Sequence, residues 1–431
     1  MSKLPAPLRG LVFLGIGIVI IGACLFFTFG VMPGSGTAVA LPVIMVPGEP
    51  YDPYLPDDGW RWTNTLTATV LASLLVLIFA GITLYVSKNL TKQVPGRWQS
   101  FVELLYGGFY NFGKGFAGKN IRLIYPLAAT LFVFLLATNW MKLLPGVETV
   151  GVMHCAEEGF SGYPATQWAG SFRLYVDEPL NAGADASHDS YYACSNFFHH
   201  GDLHFISTPE QRIAAADQIR DQEATLRQNL AAEGITDAAV IEAEVAALRL
   251  SITETVYEKP TFGLSEKQMR DGAFPYIFVV TPFVRGATTD LNLTIGLALV
   301  AVVAVQFFGI WKQKGAYLEK FVNLSAIGNA GKNPIGGVNF VVGLFEIVSE
   351  IGKIVSLAFR LFGNMFAGGI LLIVMTFLVG MLLPAVFIGL EVIITTVQAL
   401  VFALLTLIFA SQAMEGHHGD DHGDGHEEHH A

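Results

Sequence analysis

Arg360 and Glu391 are single charges set inside apolar runs long enough to cross a bilayer, a placement that points to ion movement rather than to bond-making. Arg360 lies in SLAFRLFGNMFAGGILLIVMTFLVGMLL, residues 356–383, which carries no other charge. A guanidinium does not give up its proton inside a protein, so at that depth it either extends to a headgroup or meets an acid. Its neighbours favour the second outcome. Glu346, Glu350, Lys353, Arg360 and Asn364 fall in one narrow sector when laid out at about 100° per residue. Such a polar stripe must face protein or water, because lipid cannot satisfy it. Gly363, Ala367 and Gly368 are small and let another helix come close. In the next apolar segment Glu391, Thr395 and Gln398 share a face. Two such stripes, joined by the turn near Pro384, line an aqueous cleft in which acids load and release protons, and a fixed cation favours deprotonation of any acid that passes it.

Other chemistries fail on context. Gly108 to Lys114 spells G-x-x-x-x-G-K, but Gly115 follows where a Ser or Thr would hold magnesium. Gly113, Gly115 and Gly118 spell G-x-G-x-x-G with no strand before them. His426 to His430 satisfies H-E-x-x-H only inside a tract that repeats His and acid at almost every position. Cys155 and Cys194 favour a disulfide over a metal site with His154, His199, His200 or His204, since no tetrad of zinc spacing is present. No Ser-His-Asp or Cys-His arrangement is legible, and the basic residues are loop flanks rather than a nucleic-acid patch. The expectation is therefore no catalytic residue, no metal, no cofactor and no nucleic acid.

The elements that position the two stripes follow from hydropathy. The chain has 431 residues, 52% hydrophobic and only 14% charged, which places it in the membrane class. Apolar segments at about 11–30, 66–86, 121–144, 291–311, 354–383 and 385–410 each approach or exceed the ~20 residues a span needs. The fold class expected is an all-α polytopic membrane protein of about six membrane helices, two of them long and polar-striped at the C-terminal end, plus an external, mostly helical insertion. Residues 146–276 hold 20 acids and 8 bases, and the tail after Ala413 holds six acids and no base. Basic residues gather instead at Lys3 and Arg9, between the second and third spans, and after the fourth. The positive-inside bias then puts these loops and both termini in the cytoplasm, and the insertion outside.

Along the chain, residues 1–35 read as an extra membrane anchor or a signal sequence, the length of the apolar core favouring the anchor. Residues 36–65 form an external Pro-rich loop, and 66–145 the N-terminal membrane helices with a cytoplasmic interfacial helix over 97–118. Residues 146–276 are the external insertion. Thr208-Pro209-Glu210-Gln211 starts a helix there, Glu233-Gly234 ends it, and a second runs from Thr236-Asp237 to about Leu250, giving a helical hairpin. Residues 277–412 carry the ion-translocating helices, and 413–431 a disordered His/Asp-rich tail.

With those residues in hand the chain resembles subunit a of the F-type ATP synthase, the membrane stator subunit of the proton-translocating Fo sector. SLAFRLFGNMFAG (356–368) carries the resemblance, supported by Glu391, Gln398, the DLNLT of Asp290 to Thr294, and VPGRWQSFVELLYGGF (94–109). It covers roughly residues 60–145 and 275–412. The resemblance implies a non-catalytic subunit that forms two aqueous half-channels against a rotating ring of c subunits, in a bacterial plasma membrane. Further partners implied are the b subunits of the peripheral stalk and the remaining synthase subunits. Arg360 would separate the half-channels and Gln398 orient it. Asn364 would lie one turn along, Glu346, Ser356 and Glu391 would line the access routes, and Asp290 and Asn292 would stand near the external mouth. Three positions depart from the family pattern: Gly369 where an acid is common, Glu391 where a histidine is common, and Lys142 where an aspartate is common. Two other readings compete. A proton-coupled transporter or channel predicts internal repeats with broken helices in both halves, which the hydropathy does not show. A sodium-translocating version of the same motor would depend mostly on another chain.

Overall fold

The computed structural model describes residues 40–41, 45–51, 61–87, 95–144, 147–168, 170–176, 181–199, 208–315, 317, 321, 334–379 and 382–415. The expected first span at 11–30 and nearly all of the histidine-rich tail lie outside these residues. Among the described residues, five helical stretches are long and apolar enough to cross a membrane. They comprise α1 (Asn64–Ser87), the run containing α2 (Arg97–Val102), α3 (Gly108–Ala117) and α4 (Ile121–Met141), then α9 (Leu291–Gln313), α10 (Pro334–Val379) and α11 (Leu382–Met414). The molecule is a mostly helical, polytopic membrane protein, as hydropathy predicts.

Close approach of small residues holds the bundle together. Ala128 and Ala129 on α4, Ala298 and Ala301 on α9, Ala358 on α10, and Ala399, Ala403 and Ala410 on α11 are all buried in one cluster with Leu135, Leu361, Met365 and Leu407. Lipid tails are as apolar as these side chains, so van der Waals fit rather than water exclusion drives such packing. Leu74, Leu77 and Leu84 of α1 stay exposed, as suits a face solvated by lipid. The predicted interfacial segment is helical, with a π turn at Glu103–Gly107. It reverses at Gly118, whose φ of +50° suits glycine, and packs back on the bundle: Phe109 stacks on Phe132 at 5.1 Å, and Gly113 lies against Leu407. Helix α10 is 46 residues long, about 69 Å at 1.5 Å per residue. Straight along the normal it would overrun a ~30 Å hydrocarbon core.

The insertion is more than a helical hairpin. Strand β1 (Gly151–Cys155) leaves the end of α4, and β5 (Phe274–Pro282) leads back to α9. The two pair antiparallel from Gly151↔Pro282 to Cys155↔Phe278, which zips the ends of the insertion together. With β2 (Ser161–Trp168), β3 (Ser171–Leu174) and β4 (Ala184–Asp185) they make a five-stranded sheet in the order β1-β5-β2-β3, with β4 on β2. Strand β5, FPYIFVVTP, is apolar except for Thr281 and mostly buried. It lacks the alternation that marks a half-exposed strand, and it runs through the boundary expected at 276. Cys155 of β1 is disulfide-bonded to Cys194 of α5 (His188–His199). The hairpin itself stands as expected. Helix α6 (Pro209–Ala232) opens with a capping box between Thr208 and Gln211, Gly234 turns the chain at φ +80°, and α7 (Ala238–Thr253) starts from the Asp237 cap. Ile219, Ile252, Leu264 and Met269 form its core, closed by the short helix α8 (Glu266–Arg270).

Candidate functional site

Three helices meet in a polar seam, buried except at Asn364, at the end of the bundle that carries the insertion. Helix α4 contributes Asn139 and Lys142, α10 contributes Asn364 and the backbone around Met365, and α11 contributes Glu391, Thr395 and Gln398. Asn139 donates to the Thr395 carbonyl at 3.4 Å and accepts from the Thr288 hydroxyl at 2.8 Å. Asn364 donates to Gln398 Oε1 at 2.7 Å. Gln398, which the resemblance places beside Arg360, accepts this bond from Asn364, one turn further along α10.

Lys142 enters the seam from α4. Its ammonium donates to the Met365 carbonyl at 2.7 Å and stands 3.6 Å from Glu391 Oε1, an ion-pair distance just beyond a hydrogen bond. Both side chains are at most 5% exposed. Glycines make the room. A Cβ on Gly369 would come within 2.8 Å of Lys142 Nζ, and one on Gly368 would overlap the Glu391 carboxylate. The three departures from the family pattern thus sit at one place. Gly369 lacks a side chain because Lys142 occupies that volume, and Glu391 answers the charge that Lys142 brings. Lys142 is a functional residue that helical periodicity does not assign to the site. Its signal was a lone cation closing an apolar run.

Arg360 lies earlier on α10 than this notch and is exposed. It donates a hydrogen bond to Ser356 at 3.4 Å, and it makes no ion pair among the described residues. Gly352 and Gly363 on the same helix have nothing within 4 Å of a built Cβ, so the surface around the guanidinium is open. Further toward the start of α10, Lys353 pairs with Glu350 at 2.7 Å and lies over the Phe409 ring of α11. Glu346 lies one turn beyond Glu350, half-buried. Polar groups therefore flank Arg360 on both sides along α10. Three buried polar atoms on the two stripes, Glu350 Oε2, Gln398 Nε2 and Glu391 Oε1, have no hydrogen-bond partner among the described residues.

Asp290 is buried at the insertion end, where it caps α9. Its carboxylate accepts from the Asn292 amide at 2.9 Å and from the Thr65 hydroxyl at 2.8 Å, while Asn292 is exposed. Above this level a cavity of about 1200 Å³ lies between α10, the insertion sheet and the segment before α1, which contributes Met45, Glu49 and Arg61. Lys142, Gly369, Glu148, His154, Glu157 and Arg173 are among its lining residues. Burial pushes the His154 imidazole below its ordinary value, partly offset by its bond to the Cys155 carbonyl. Burial also lifts the Glu49 carboxyl in the same wall, against the pull of Arg285. Among the described residues no group of three or more His, Cys, Asp or Glu is placed to hold a metal ion.

A sequence profile of the ATP synthase A chain family matches residues 67–165 and 261–411. That is more than half of the chain. It takes in the whole seam and leaves out most of the insertion. Arg360, Asn364, Glu391 and Gln398 all fall inside the matched region, on the helices that the geometry singles out, and the chain belongs to the ATP synthase A chain family, subunit a of the Fo membrane sector.

Proposed function

We propose that this subunit forms two aqueous half-channels against a rotating ring of c subunits, with Arg360 as the charge between them. The observation that carries the reading is the position of the guanidinium. It is exposed on an open face of α10, without an ion pair among the described residues, and separates two polar clusters. On the insertion side the route runs by Glu391, Gln398 and Asn364. On the other side it runs by Glu346, Glu350 and Lys353, with Ser356 beside the arginine. The buried polar atoms on these stripes, Glu350 Oε2, Gln398 Nε2 and Glu391 Oε1, suit the walls of an aqueous route.

The mechanism is electrostatic. As a ring carboxylic acid comes opposite Arg360, the fixed cation stabilises the carboxylate, so the proton leaves into the adjoining half-channel. The carboxylate passes the arginine and is reprotonated from the other half-channel. A cation in the straight path repels protons that would bypass the ring. The b subunits of the peripheral stalk would hold the chain against rotation. The acidic insertion and its disulfide suit an extracytoplasmic side, where oxidation is permitted, of a bacterial plasma membrane. The α9–α10 connection is then cytoplasmic.

Arg360→Ala tests this reading. The complex should assemble with its ring, while proton-driven ATP synthesis in reconstituted vesicles falls to background. Normal synthesis rates in that variant would end the proposal.

A further inference from the structure

The family accounts for the seam near Arg360, but not for a lysine in its floor or for a cavity walled by the insertion. The profile leaves residues 166–260 unmatched, yet Arg173 of β3 lines the cavity that reaches Lys142 and Gly369. The β1–β5 pair lies between α4 and α9 in the chain, and Gly151 of β1 and Thr281 of β5 line the same cavity as Lys142. His154 is tied into the same wall by its bond to Thr281, 2.7 Å.

At the floor, one ammonium joins three helices: its own α4, the Met365 carbonyl of α10 and the Glu391 carboxylate of α11. Phe366, Ile370 and Ile373 of α10 give the same cavity apolar lining beside Lys142, and Lys142 links that cavity to Glu391, which does not line it.

We infer that the insertion is the wall of the external vestibule, and that Lys142 is the positioning residue at its inner gate, holding Glu391 as proton acceptor. This rests on the motor reading above and adds to it a defined access route. A hydronium reaching the floor gives its proton to the Glu391 carboxylate and leaves as water. The resulting neutral acid no longer pairs with Lys142. When Glu391 passes the proton on towards the ring carboxylate by way of the Asn364–Gln398 seam, the carboxylate re-forms and the ion pair closes.

The experiment uses the whole synthase in oriented membrane vesicles, with Lys142→Cys in a Cys24→Ser background and the Cys155–Cys194 disulfide left intact. Coupled proton flux should fall at least tenfold. Aminoethyl thiosulfonate added on the insertion side should modify the introduced thiol and restore flux, because it rebuilds an ammonium at about lysine length. A neutral ethyl thiosulfonate should label the same site without rescue. Flux unchanged by Lys142→Cys, equal rescue by the neutral reagent, or labelling only from the opposite side would each overturn the inference. Should Lys142→Cys fail to assemble, Thr376→Cys in the cavity wall serves instead. A charged, impermeant reagent should reach it only from the insertion side and slow flux, and an unreactive Thr376→Cys refutes the vestibule. Arg360→Ala is run alongside. If it keeps ATP synthesis, the motor reading fails; if it is inactive while Lys142→Cys matches wild type, only the gate fails.

Discussion

A guanidinium at membrane depth persists only where something offsets its desolvation. On α10 the offset inside this chain is slight, a 3.4 Å contact with Ser356. That leaves the charge available to a partner's acid. Lys142 is the opposite case. Its charge is satisfied within the chain, and Gly369 leaves the room it occupies, as Gly368 does for Glu391. Gly369→Ala should therefore displace the ammonium, lowering thermal stability of the complex by about 1–3 kcal/mol and reducing coupled flux. Gly389→Ala, where a Cβ meets nothing within 4 Å, should change neither. Thermal melts of the purified complex and vesicle flux assays distinguish the two.

Among the elements, the insertion is a small folded unit grafted onto the α4–α9 connection. Its disulfide closes a loop across a sequence separation of 39 residues, which stabilises mainly by restricting the unfolded chain. The Cys155→Ser, Cys194→Ser double variant should lose about 3 kcal/mol of local stability, seen as faster amide exchange in β1 and α5. His154 sets a pH dependence in the same sheet. Its folded value lies below the ordinary 6.5 because burial disfavours the charged ring. The unfolded chain therefore binds the proton first as pH falls, and stability present at neutral pH declines below about 6.5. His154→Gln should flatten that decline in β1 amide exchange between about pH 7 and 5. A β1 exchange profile with the same slope in both proteins would show that another group titrates there.

For the whole molecule, the open glycine face around Arg360 needs a neighbour, and the motor reading supplies one. Gly363→Cys should form a disulfide with a cysteine placed beside the ring carboxylate of a c subunit, read by a crosslinked band on denaturing gels. Crosslinking of Leu74→Cys on α1 but not of Gly363→Cys would put the ring on the wrong face. Much of this plan was legible beforehand. The stripes on α10 and α11, the caps at Thr208 and Asp237, and the spans other than the one at 11–30 stand where periodicity and turn chemistry put them. Strand β5 was not legible, because a buried strand has no alternation to read. Asp290, which the resemblance puts near the external mouth, caps α9 at the insertion end.

The residues alone determined the membrane class, the two polar-striped helices and the arginine at their centre, because helical period and the cost of a charge in lipid are local properties of a segment. Only tertiary structure decided that Lys142, Gly369 and Glu391 form one site. The Lys142–Met365 bond joins positions 223 residues apart, and no pattern within a single helix encodes which side chain from a distant helix will fill the space a glycine leaves. The same holds for the cavity above it, whose walls come from the segment before α1, the insertion and α10.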